Sequence, residues 1–164
     1  MYIQTNPYHT KRIYSAKEVT HQLSKPDDWN AHREQVLHEL KLAGTSRFGM
    51  LTMEANYLPN IIHQDEQVGG IVYGLHEDGI AMLIATDRRV IFLDKKPLFI
   101  NEDEVNYHVV SGVSYSRVGW GTTVTLHSRI KDYTIHTLNR RCAEIFVDFI
   151  ERRCLERDAI GKES

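Results

Sequence analysis

The stretch Gly79–Lys95 reads GIAMLIATDRRVIFLDK, and its reading decides the fold. Two apolar runs, Ile80 to Ala85 and Val90 to Leu93, flank the polar tetrapeptide Thr86-Asp87-Arg88-Arg89. Side chains alternate along a strand. Ile80, Met82 and Ile84 therefore face one way and Ala81, Leu83 and Ala85 the other, and the next strand repeats this with Val90 and Phe92 against Ile91 and Leu93. Both faces are apolar, although a small antiparallel barrel normally leaves its outer face polar. Something covers that face, either the N-terminal helices of the same chain or a partner molecule. The tetrapeptide reads as a hairpin tip whose two solvated arginines oppose edge association.

Working outward, Val68 to Leu75 is a strand candidate, joined to the quoted stretch by the hairpin signal His76-Glu77-Asp78-Gly79. After Lys95-Lys96-Pro97, Leu98 to Ile100 reads as a short fragment. Val105 to Val109, Val113 to Val118, Thr122 to His127 and Tyr133 to Thr137 complete a series of seven short strands. A helix follows from Asn139, a good N-cap residue. Cys142, Ile145, Phe146, Phe149 and Ile150 form its apolar face.

Before residue 65 the periodicity is helical. Ser15-Ala16-Lys17-Glu18 has the form of a capping box, with Val19 and Leu23 following. Trp29, Val36, Leu37, Leu40 and Ala43 make one stripe that Gly44 ends. Phe48, Leu51 and Ala55 make a further stripe, stopped before Pro59.

Several segments together resemble the pleckstrin-homology-like (PH-like) barrel. They are Leu58-Pro59-Asn60-Ile61-Ile62 with Asp65-Glu66, the run Ala85 to Lys95, and Tyr107, Val110 and Val113. Val118-Gly119-Trp120-Gly121 with Val124 to His127, and Ala143-Glu144-Ile145-Phe146, extend the likeness. The details are similar to the bacterial YokE-like branch and, in layout, to GRAM domains. The resemblance spans residues 58 to 153. It implies an α+β, mainly β fold: a seven-stranded antiparallel barrel or sandwich capped by a C-terminal helix. The expected organisation is an N-terminal helical extension over 1–57, the PH-like domain over 58–157 and a tail over 158–164.

Composition narrows the function. The chain has 164 residues, with 20 basic and 22 acidic side chains and a net charge of −2, which gives no overall pull toward nucleic acid or anionic lipid. No run approaches the ~18 apolar residues of a membrane span, and the first residues do not read as a secretory signal. Two cysteines, Cys142 and Cys154, lie about 120° apart on one helix. They read as reduced thiols of a cytoplasmic protein.

Nine histidines show no HExxH or HxxxH spacing, so no metal is expected. No GxSxG elbow or phosphate-cradling loop occurs, so neither an enzyme nor a cofactor is expected. The resemblance raises phosphoinositide binding, but the loop His76-Glu77-Asp78-Gly79 holds two acids and no Lys or Arg, which opposes a polyphosphate. The expected function is a non-enzymatic protein-interaction or self-assembly module, with Tyr115 and Trp120 as contact candidates. The competing reading is a peripheral module that sets Arg88, Arg89, Lys95 and Lys96 against anionic lipid. It requires those four cations to share a face clear of acids.

Overall fold

The computed structural model describes residues 9–14, 26–77 and 79–161. The Ser15–Glu18 capping-box segment, with Val19 and Leu23, lies outside the described residues. Strand β1 is His9–Tyr14. Helices α1 (Pro26–Leu42), α2 (Arg47–Met50) and α3 (Met53–Tyr57) follow, and a 3-10 turn covers Leu58–Asn60. Strands β2 (Val68–His76), β3 (Gly79–Thr86), β4 (Arg89–Lys95) and β5 (Ile100–Asn106) come next. Then come a 3-10 turn at Tyr107–Val109, strands β6 (Val110–Val118), β7 (Gly121–Ser128) and β8 (Tyr133–Thr137), and helix α4 (Arg140–Ile160).

The strands form one sheet in the order β1-β5-β4-β3-β2-β8-β7-β6, all neighbours antiparallel. Seven of them, β2 to β8, correspond to the PH-like set. The sheet folds over on itself at the junction of β2 and β8, which share the single register pair Leu75↔His136. Gly74 permits this approach, because a Cβ there would sit 2.0 Å from the His136 carbonyl oxygen. Val72, Leu83, Phe92 and Val105 from one half meet Val124, Leu126, Tyr133 and Ile135 from the other, and Phe146 and Ile150 of α4 close the interior.

A second core lies on the outer face. Ile71, Met82, Ile84, Ile91 and Leu93 pack there beneath Val36 and Leu40 of α1, Ala55 of α3, and Leu58 and Ile62. The two-faced hairpin is therefore covered by the helices of its own chain. Hydrophobic burial on both faces gives this sheet more buried apolar area than a half-solvated one.

Three expectations need correction. The opening 57 residues are not wholly helical: β1 pairs with β5 from His9↔Val105 to Tyr14↔Ile100 and adds an eighth strand that covers the β5 edge. The strand placed at Val105–Val109 is instead Ile100–Asn106, and residues 107–109 are a 3-10 turn. Its sequence, INEDEVN, carries three acids that suppress the strand signal. The stripe Phe48, Leu51, Ala55 is not one helix. Ser46 caps α2 by accepting from the Gly49 amide at 3.3 Å, and Thr52 caps α3 by accepting from the Ala55 amide at 3.2 Å. Two caps restart the backbone, and only Ala55 turns inward; Phe48 is 67% exposed and Leu51 79%.

Helix α4 begins as read, with the Asn139 side chain accepting from the Cys142 amide at 3.1 Å, and it runs through Ile160 into the stretch read as a tail. Cys142 is buried in the outer core and Cys154 packs against the inner one, both as free thiols. Burial pushes the Cys142 thiol up to about 11.

Candidate functional site

The six residues singled out from the sequence fall into three places. Arg88 and Arg89 stand at the start of β4 and Lys95 and Lys96 at its end, about 20 Å apart along a strand of this length. The structure therefore does not bring the four cations together.

Arg88 is exposed and pairs with the Asp65 carboxylate. Arg89 is not a solvated tip residue: its side chain is 14% exposed and that of Glu66 is 0%. Its Nε donates to Glu66 Oε1 and one Nη to Glu66 Oε2, both at 2.9 Å. The same Nη donates to the Ile61 carbonyl at 2.8 Å, and the other Nη pairs with Glu104. Thr86 donates to Glu66 at 2.7 Å, and the Asp87 carboxylate accepts from the Gln67 amide at 2.9 Å. Burial alone would raise the Glu66 carboxyl. The hydrogen bonds from Arg89 and Thr86 outweigh it and hold the group below its ordinary value. Thr86-Asp87-Arg88-Arg89 thus locks residues 61–67 onto the sheet.

Lys96 pairs with Asp94 at 2.9 Å, and the Lys95 ammonium lies 5.5 Å from the Tyr57 ring centre. With Asp65, Glu66, Glu104 and Asp94 beside them, these cations do not form the acid-free face that the anionic-lipid reading requires.

Ser114, His127 and Asp132 form a hydrogen-bonded row on β6, β7 and the following turn, at 3.0 Å and 2.8 Å. Asp132 also accepts from the Ser128 amide, while Ser128 accepts from the Lys131 amide at 3.0 Å. The row anchors the β7–β8 turn, on a half-exposed face where water competes for His127. Among the described residues no three His, Cys, Asp or Glu side chains are grouped to hold a metal ion. No helix among them is long and apolar enough to cross a membrane.

Tyr115 and Trp120 belong to a different region. Trp120 occupies the β6–β7 turn and is fully exposed. The Tyr115 hydroxyl accepts from Arg117 at 3.3 Å, and that bond holds the phenol below its ordinary value. Beside them lies a cleft of about 920 Å³, where the two halves of the sheet part. Phe48, Leu75, Ile80, Val118 and Leu138 line it, 67%, 60%, 37%, 70% and 84% exposed. Its wall joins the helical extension to the barrel through a small polar latch. Tyr73 and Ser46 share a hydroxyl–hydroxyl bond of 2.6 Å, and the Asn139 amide donates to the Gly44 carbonyl at 3.1 Å and to the Tyr73 hydroxyl at 3.2 Å. Arg140 and Arg141, in the first turn of α4, form the rim.

Such an exposed apolar cluster is larger than scattered surface residues require. Sequence reasoning missed most of it, because Phe48 and Leu75 read as packing residues and Leu138 was passed over. The local pattern pointed the other way: an apolar residue just before an N-cap normally folds back onto the helix, whereas Leu138 is exposed.

Residues 62–152 match the model of the bacterial PH domain family. The chain belongs to that family. A bacterial PH domain accounts for strands β2 to β8 and most of α4, whereas α1 to α3 and the cleft residues Ser46 and Phe48 precede the matched region. Among solved structures, a DUF1696 family protein with a pleckstrin-homology domain from Shewanella loihica PV-4 is similar. The identity is 18%, over 62% of this chain and 90% of that one, with a TM-score of 0.35. No curated protein matches the chain.

Proposed function

We propose that this bacterial PH domain is a non-catalytic, cytoplasmic protein-interaction module that seats an apolar segment of a protein partner in the cleft beside the start of α4. One observation carries the reading. Phe48, Leu75, Val118 and Leu138 line that cleft in the open, while both apolar faces of the β3–β4 hairpin are already covered. Interaction surfaces concentrate aromatic and aliphatic anchors of this kind. The latch of Ser46, Tyr73 and Asn139 keeps the cleft wall in place without a partner, so little ordering opposes binding. The extension then serves both to cover the sheet and to build one side of the site.

Site-specific photo-crosslinking tests this. A benzoylphenylalanine at Leu138 is expected to give a discrete adduct with one protein in cells, and the same group at Leu155 of α4, which is also exposed, none. An adduct with a second copy of the chain would assign the cleft to self-assembly. Absence of any protein adduct at Leu138 would remove the reading.

A further inference from the structure

The charges around the cleft point to the chemistry of its occupant. No Asp or Glu lines it, whereas Arg140 and Arg141 both do. This polarity runs against the chain as a whole, whose net charge is −2. It also runs against the helix that carries it. A helix N-terminus favours acids and disfavours cations, yet the first turn of the 21-residue α4 holds two arginines and no acid. Arg140 finds its carboxylate one turn on, at Glu144, at 2.7 Å, and Glu144 also lies 3.7 Å from Arg117. Arg141 is exposed and makes no ion pair among the described residues; its stem lies against Gly44 at the cleft wall. Arg47, also exposed, stands between the cleft residues Ser46 and Phe48. Local choices that oppose a helix's own field mark places where something outside the helix compensates.

Resting on the interaction reading above, we infer that the occupant is an acidic-flanked apolar segment of a protein. Its aliphatic or aromatic anchors fill the space between Phe48, Leu75, Val118 and Leu138, and its carboxylates meet Arg141 and the start of α4. A small molecule would leave much of this surface bare, because Phe48, Leu75, Ile80, Val118 and Leu138 all line the cleft in the open. An anionic membrane is a poorer match, since adhesion to a lipid surface draws on a cluster of cations and here the rim offers few.

The test is selection of displayed random peptides against the immobilised full-length protein, repeated with Arg141→Glu and Leu138→Asp, each first checked for native circular dichroism. The wild type is expected to enrich peptides with apolar anchors flanked by Asp or Glu, their affinity falling about tenfold or more on raising the salt concentration or on Arg141→Glu. Leu138→Asp is expected to enrich none of them. Anchored peptides without acidic flanks, lost on Leu138→Asp, would overturn this inference and leave the interaction reading standing. Peptides still bound by Leu138→Asp, or no enrichment at all, would overturn both. Displacement of selected peptides by phosphatidylserine vesicles would assign the cleft to lipid and overturn the inference.

Discussion

Arg89 neutralises two carboxylates at once, and one of them, Glu66, is fully buried. Removing one partner of a buried pair leaves a charge with neither water nor counter-ion. Arg89→Met is therefore expected to destabilise the protein by about 3 kcal/mol in urea unfolding, whereas Arg88→Ala, at a pair open to solvent, leaves the unfolding midpoint nearly unchanged. The pH dependence carries a sign. The folded Glu66 carboxyl lies below its ordinary 4.5, so its stabilisation is complete above that value and is lost as pH falls through the folded one. In Arg89→Met, burial without the guanidinium raises the folded value instead, so the penalty is present at neutral pH and shrinks in acid. A difference between variant and wild type that stays constant from neutral pH down through 4.5 would contradict the lock. The hairpin around these residues was legible from its apolar flanks. The burial of Arg89 was not, because its partners lie 23 and 15 residues away in the chain.

At the level of elements, the β3–β4 hairpin has two apolar faces and two distinct covers. Alternation in Met82-Leu83-Ile84 and Ile91-Phe92-Leu93 announced both faces. The stripe on α1 identified one candidate cover, and its inner members Val36, Leu40 and Ala43 are buried, while Trp29 and Leu37 are only partly so. Leu40→Ala is expected to cost about 2–5 kcal/mol by thermal or urea unfolding, as a core truncation does. A loss under about 1 kcal/mol would mean that α1 rests on the sheet without closing it. Strand β5 shows where pattern reading fails. Its acids Glu102 and Asp103 are buried, and Asp103 accepts from the Tyr133 hydroxyl at 3.2 Å across the barrel. A polar residue satisfied by a distant partner reads locally as loop.

For the whole molecule, the extension and the barrel share one outer core, so the segment from Val36 to Tyr57 is part of the folded unit. A chain beginning at residue 58 would strip Val36, Leu40, Ala43 and Ala55 from the face made by Ile71, Met82, Ile84, Ile91 and Leu93. It is expected to aggregate or to bind an apolar dye strongly, and light scattering distinguishes that from the full chain; a monodisperse, dye-free fragment would refute the dependence. The sequence by itself determined the strand count of the barrel, the closing helix with its Asn139 cap, and the two-faced character of the central hairpin. Each of these rests on spacing within a few residues, where periodicity and capping act. Only the tertiary structure decided what covers the outer face, that Arg89 is an internal lock, that β1 joins the sheet, and that Phe48, Leu75, Val118 and Leu138 meet around one cleft. Those outcomes depend on which distant segments come into contact, and burial, ion pairing and exposure are properties of that contact and not of the local chain.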